Sequence, residues 1–396
     1  MQVFPEKPLA WGKARSCIRE LAEYGWSRRE EIGAENVFDF SLGNPSIPAP
    51  AGVNAAIAEL IRGDSVALHG YTTAAGVLSL RQRIAEDYRE RFGIALDPNH
   101  IYVTCGAAAG LAISLRALLV APGDEVVALA PFFPEYRVFT EASGGTLVTS
   151  QPRFSDFQLD PEAFERSLGP RTRAVIINSP NNPSGVILSR ESLSALASAM
   201  RRQSEKNGAP IWLICDEPYR ELAYDGAEVP SAFSFYDDTV LCYSFSKSMS
   251  IPGERIGYLA VGPKASYAGE AYAAIMGAGR ALGYVNPPSL FQRVVERCIG
   301  QTADVSKYLE NRNLLLGGLR EIGYECIEPQ GAFYLFVKSP EPDAKAFSER
   351  AKKYELLLVP SDDFGTPGYV RLAYCVSKDM ISRAMPAFRA LMAEYK

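Results

Sequence analysis

The chain has 396 residues, with 41 lysines and arginines against 46 aspartates and glutamates. A net charge of −5 with no long run of either sign argues against a polyanion-binding surface, and 47% hydrophobic residues at this length suffice for two packed domains. Only two histidines, His69 and His100, and seven cysteines scattered singly without a CxxC pair argue against a histidine-ligated metal centre, a Ser-His-Asp triad, a zinc site and a disulfide framework.

The opening segment, "MQVFPEKPLAWGKARS", lacks the apolar core of a signal peptide, and no stretch of eighteen apolar residues occurs. Neither a membrane span nor secretion is expected, so the default compartment is the cytoplasm. Residues 1–44 are assigned to a smaller α+β domain, and "LGNPSIPAP" at 42–50, with three prolines in nine residues, reads as a rigid crossing between domains. Residues 45–288 then form a larger α/β domain. Its short apolar runs, bounded by turn residues, are predicted strands at 101–104, 125–130, 146–150, 174–179, 211–218, 239–246 and 256–262. Helical periodicity fills the gaps, as at 108–119 and at 189–207, the latter opened by Ser189 as an N-cap. Such alternation predicts a mainly parallel central sheet, whose ligands bind beyond the carboxyl ends of the strands. Those ends carry "TCGAAAG", "NSPNNPSG", "CDEPY" and "SFSK". From residue 289 to 396 the chain reads as helices, "SLFQRVVERCI" and "SKYLENRNLLLGGLREIG", then strands "AFYLFVK" and "YVRLAY" and a last helix. We expect this stretch to complete the smaller domain.

Taken singly these strand-end motifs are weak, because a Gly-Ala-Ala turn is often only a tight connection and a lysine near a core often snorkels to water. Their order is specific. Lys247 in S-x-S-K-S, with Arg255 eight residues and Gly257 ten residues on, follows D-x-x-Y and N-x-P-x-N-P-S-G. This set resembles the class I/II aminotransferases, aspartate-aminotransferase-like members of the fold type I pyridoxal-phosphate enzymes, from "SLGNP" at 41–45 to "YVRLAY" at 369–374.

The resemblance implies pyridoxal 5'-phosphate as cofactor, with Lys247 as the amine that joins its aldehyde and later carries the proton. Arg255 and Ser244 would hold the phosphate, helped by Ser246 and by the backbone N–H groups of Ala107 and Ala108 after Gly106, where a helix N-terminus favours an anion. Asp216 would pair with the pyridine nitrogen, Tyr219 and Asn182 would reach the phenolic oxygen, and Phe133 would stack on the ring. Arg371 would clamp the substrate α-carboxylate, as a guanidinium fork does better than a lysine, with the Gly43 backbone beside it. Tyr71 would reach the cofactor phosphate of a neighbouring subunit, which implies a homodimer with shared sites. Substrate side chains would meet the segment around Ser16 to Ile18 and loops of the partner.

The implied reaction moves the amino group of an α-amino acid to a 2-oxo acid such as 2-oxoglutarate. Arg280 is the candidate cation for a distal carboxylate, which would favour aspartate or glutamate; Tyr284 and its aromatic neighbours would instead frame an apolar side chain. Ala108 stands where some relatives carry Lys or Thr, and Phe133 replaces the commoner tryptophan, so an aspartate assignment does not follow from the motifs. The same scaffold supports Cβ–S lyases, which leaves β-elimination open. A cofactor-sensing transcription regulator would need a DNA-binding helix-turn-helix ahead of "SLGNP", where about forty residues stand.

Overall fold

The computed structural model describes residues 3–14 and 16–395, so Met1, Gln2, Arg15 and Lys396 lie outside the described residues. The strands, in chain order, are β1 (Phe38–Asp39), β2 (Ile101–Thr104), β3 (Glu125–Leu129), β4 (Thr146–Ser150), β5 (Pro152–Arg153), β6 (Gln158–Leu159), β7 (Thr172–Asn178), β8 (Trp212–Asp216), β9 (Thr239–Ser244) and β10 (Gly257–Val261). After them come β11 (Cys326–Ile327), β12 (Tyr334–Lys338), β13 (Leu356–Leu357), β14 (Val359–Pro360) and β15 (Tyr369–Ala373).

Every strand expected in the larger domain is present, and all join one seven-stranded sheet in the order β2-β10-β9-β8-β7-β3-β4. Pairing is parallel except at β10, which runs against both β2 and β9. Alternation explains why unbroken apolar runs suit this position. Leu213 and Cys215 of β8 point to one face with Val103, Leu241 and Tyr243, while Trp212 and Ile214 point to the other with Tyr102, Val240 and Cys242. The first face is covered by Leu193, Leu196 and Met200 of the helix Arg190–Asn207, which Ser189 caps by accepting from the Ser192 N–H. The second face packs on Leu111, Leu115 and Leu118 of the helix Ala107–Leu118 and on Ile275 of the helix Ala268–Ala281. Both faces being dry, each strand gains from apolar residues at every position.

A second core gathers around the antiparallel sheet β11-β12-β15-β14. It joins Leu315 and Leu319 of the helix Val305–Ile322 to Phe388 and Leu391 of the helix Lys378–Ala393. The N-terminal segment enters this body: β1 pairs in parallel with β13, and Phe40 is buried in the same cluster.

One expectation needs correcting. The helix Ser289–Cys298, assigned above to the smaller domain, buries Val294, Val295 and Cys298 against Val53, Leu80 and Ile84 of the large core. Its apolar stripe looks the same whichever core receives it, so periodicity alone could not choose. We therefore place the passage between the two bodies after Cys298 rather than at 288/289. Among the described residues no helix is long and apolar enough to cross a membrane.

Candidate active site

The carboxyl ends of β7, β8 and β9 open onto a cleft closed from the far side by β12 and β15. In register, Asn178 lies beside Asp216, and Thr104 and Ser244 flank Gly257. The cleft, a cavity of about 290 Å³, is lined among others by Gly43, Ala107, Ala108, Phe133, Asn182, Asp216, Tyr219, Ser244, Ser246, Lys247, Arg255 and Arg371. Residues far apart in sequence, such as Ile18, Gly43 and Arg371, are thus brought to one cleft.

Lys247 stands on the one-turn helix Phe245–Ser248 that follows β9, and its Nζ donates to the Gly43 carbonyl at 2.9 Å. Among the described residues no carboxylate pairs with it. Burial pulls its ammonium down to about 8, with Arg255 and Arg371 acting in the same direction. Ser244 caps that short helix, accepting from the Ser246 N–H, and its hydroxyl lies 2.8 Å from that of Ser246. Arg255 has a left-handed backbone (φ 51°) and spends its guanidinium on the carbonyls of Pro252 and Cys105. No carboxylate meets it either among the described residues.

Gly106 precedes the helix Ala107–Leu118 with φ 85° and ψ 175°, and no side chain caps the first turn. That backbone region is open in practice only to glycine. A Cβ there would also come 3.1 Å from Arg255 Nη2, so the turn, the bare helix N-terminus and the arginine are packed as one unit.

Asp216 ends β8 at 5% exposure, and a buried charge of this kind is costly unless paired. Its Oδ2 accepts from the Tyr136 hydroxyl at 2.6 Å, while its Oδ1 is buried without a partner. Burial pushes the carboxyl up to about 7, and the Tyr136 hydrogen bond opposes that shift. Tyr136, on the first turn of the helix Glu135–Ala142, is a site-building residue that sequence reasoning missed; its N–H donates to the Phe133 carbonyl at 3.0 Å in the turn that opens the helix. Phe133 meets Tyr136 edge-on at 5.9 Å.

Arg371 sits in β15 at 2% exposure. Its Nη1 donates to Asn182 Oδ1 at 3.2 Å, its Nη2 donates to the Ser41 carbonyl, and its Nε has no partner. Tyr334, also missed, packs its ring 4.7 Å from the Arg371 Cζ and its hydroxyl 3.1 Å from that of Tyr219. Strand alternation in "AFYLFVK" places Tyr334 on one face, but nothing local says that the face looks into the cleft. Ile18, two residues into the helix after Ser16, lines the cleft as expected of that segment.

Two expected residues are not brought to this cleft within the chain. Tyr71 is 98% exposed, and Arg280 is exposed at the end of the helix Ala268–Ala281.

With this geometry in place, the comparisons with known proteins become specific. The model of the family "Aminotransferase class I and II" matches residues 35–388. The chain belongs to that family. It is 30% identical to an aspartate aminotransferase of Thermotoga maritima over 93% of this chain and 97% of the relative. It is 32% identical to the aspartate/prephenate aminotransferase of Thermus thermophilus over 81% of this chain and 83% of that one. Among solved structures, an amino transferase from Eubacterium rectale superposes with a TM-score of 0.98 at 50% identity, each chain fully covered. The Thermus thermophilus aspartate aminotransferase with maleate gives 0.86 at 27% identity, covering 99% of this chain and all of that one. This aminotransferase therefore has the fold type I architecture. The enzyme reading replaces the regulator considered above.

Proposed function

We propose that this aminotransferase holds pyridoxal phosphate in the cleft and moves an amino group from an α-amino acid to a 2-oxo acid, working as a homodimer. The observation that carries the reading is the bare Oδ1 of Asp216. A carboxylate this buried, held on one oxygen by Tyr136 and free on the other, suits a cationic ring N–H as its second partner. The donor set around it fits the rest of the cofactor. Arg255, Ser244, Ser246 and the uncapped N–H groups of Ala107 and Ala108 after Gly106 would hold a phosphate dianion. Phe133 offers a ring face, and Tyr219 and Asn182 offer donors for a phenol oxygen.

When bound, the cofactor supplies an electron sink that makes the substrate α-proton removable. The chain's own residues do the remainder. Arg371 binds the α-carboxylate, oriented by Asn182 and the Ser41 carbonyl, with the Gly43 backbone beside it. Lys247, whose basicity burial has lowered, is neutral often enough near pH 8 to attack a carbonyl and then to take and return the α-proton. Asp216 keeps its charge beside the cation it serves.

Tyr71 and Arg280, exposed here, are assigned to the partner's cleft: Tyr71 to the phosphate and Arg280 to a distal carboxylate of the substrate. The relatives named for aspartate support a dicarboxylic substrate. On this assignment Arg280→Ala lowers kcat/KM for aspartate and glutamate roughly a hundredfold, about 2.7 kcal/mol, and leaves alanine nearly untouched. An equal loss on all substrates discards the dicarboxylate reading.

The direct test is to add each amino acid singly to the cofactor-loaded enzyme and follow the visible band for conversion to the amine form. Borohydride reduction should label Lys247, and Lys247→Ala should keep cofactor non-covalently while turnover drops by several orders of magnitude. A label on another lysine, or near-normal turnover, refutes the assignment.

A further inference from the structure

Tyr334 has no part in the roles assigned so far, yet it touches three of the groups that carry them. Its hydroxyl is 3.1 Å from that of Tyr219, and its ring backs the Arg371 guanidinium at 4.7 Å. It also fills the space over Gly43, where a Cβ would come 1.9 Å from the Tyr334 oxygen. The Gly43 carbonyl in turn accepts from Lys247. A single side chain of β12, paired opposite Ala373 in the strand that carries Arg371, thus spans both bodies at the point where they meet.

Either hydroxyl of the tyrosine pair can donate to the other in this structure, and a bound cofactor would fix the direction. A phenol has one O–H to donate, and Tyr219 needs its own for the cofactor's phenol oxygen. Tyr334 must then be the donor within the pair. Both hydroxyls keep their protons at neutral pH, because burial raises each phenol.

We propose that Tyr334 is a positioning residue for the amino transfer: its hydroxyl donates to Tyr219 and so directs the Tyr219 proton at the cofactor's phenol oxygen, while its ring holds Arg371 for the substrate carboxylate. The inference rests on the reading of the cleft as a pyridoxal phosphate site. A donor that itself accepts a hydrogen bond is the stronger donor, since linked hydrogen bonds polarise one another. When bound, the cofactor would carry a titrating proton near its phenol oxygen, and donors to that oxygen would make this proton easier to lose. Removing the Tyr334 hydroxyl therefore makes this proton harder to lose.

The charged and titratable groups facing the pair are Asp216 and Arg371 at Tyr219, and Arg371 and Cys375 at Tyr334. Lys247 lies beyond Gly43. The Cys375 thiol is pushed up to about 12 by burial, so it stays neutral through the range to be scanned. None of these groups is removed by Tyr334→Phe.

The experiment uses the cofactor-loaded enzyme as wild type, Tyr334→Phe and Tyr334→Leu. The visible band is titrated against pH, and binding of 2-methylalanine, an α-carboxylate ligand without an α-proton, is followed through the same band. Tyr334→Phe should raise the titration midpoint by about 0.5–1 pH unit and leave 2-methylalanine binding within about twofold. Tyr334→Leu should raise the midpoint equally and weaken binding about tenfold, because the ring over Arg371 is gone. A Tyr334→Phe midpoint within about 0.2 unit of wild type overturns the relay to Tyr219. Binding by Tyr334→Phe as weak as by Tyr334→Leu overturns the ring's part. The phenylalanine variant keeps the packing, so the first arm stands even where the leucine variant does not fold. Absence of any visible band in the wild type refutes the cofactor reading itself, which is a separate outcome from an unmoved midpoint.

Discussion

Asp216 shows how a single residue trades stability for chemistry. Its carboxyl is held up at about 7 by burial, against the Tyr136 hydrogen bond, so in the cofactor-free chain it is protonated at acid pH and carries an unpaired charge above neutrality. A folded-state pKa above the unfolded value means that its contribution is fully present below the ordinary aspartate range and is lost as pH rises through about 7. Asp216→Asn should therefore stabilise the cofactor-free chain at pH 8 by about 1–2 kcal/mol and have little effect at pH 4, read from denaturant midpoints. The same variant should lose most of its turnover. A variant less stable than wild type at pH 8 would show that the carboxylate is not a burden there. Lys247 follows the same logic with opposite charge: S-x-S-K-S singles it out in the sequence, but its lowered basicity depends on the walls that bury it.

At the scale of elements, the phosphate end of the cleft is built by a strand, a glycine and a helix start. Gly106 carries the chain from β2 into the helix Ala107–Leu118 through a conformation other residues resist, and its missing side chain leaves room for Arg255. Gly106→Val should cost about 1–3 kcal/mol of backbone strain and displace the guanidinium, weakening cofactor binding by tenfold or more. Fluorescence titration of the cofactor-free variant would measure this, and unchanged affinity would dismiss the cradle. The strands themselves were legible because both faces of the sheet are dry, which turns each into an unbroken apolar run. The helix Ser289–Cys298 was misplaced because its amphipathic stripe carries no address. Tyr136 and Tyr334 escaped notice for a related reason: each lies on a regular element whose cleft-facing side is set by another element's packing.

The whole molecule places Tyr71 and Arg280 on its exterior, where neither reaches the cleft of the same chain. If the active unit is a dimer with shared sites, a Lys247→Ala chain and a Tyr71→Ala chain should complement each other. In the hybrid both defects fall in one cleft and the other is intact. Mixing and re-forming the two inactive parents should restore up to about half the activity of a wild-type dimer per hybrid, with sedimentation confirming the dimer. A monomer at working concentration, or no recovery despite hybrid formation, counts against sharing. Sequence alone determined the fold class and the strand-end motifs, because alternating apolar runs and helical periodicity are local; the roles proposed for a phosphate, a carboxylate and a buried cation came from the family resemblance that those motifs carry. Only the tertiary structure decided which core receives the helix Ser289–Cys298, that Asp216 keeps one oxygen bare, and that Tyr334 joins Tyr219 to Arg371. Those depend on contacts between residues far apart in the chain, where burial and the direction of a side chain are set by whatever packs opposite.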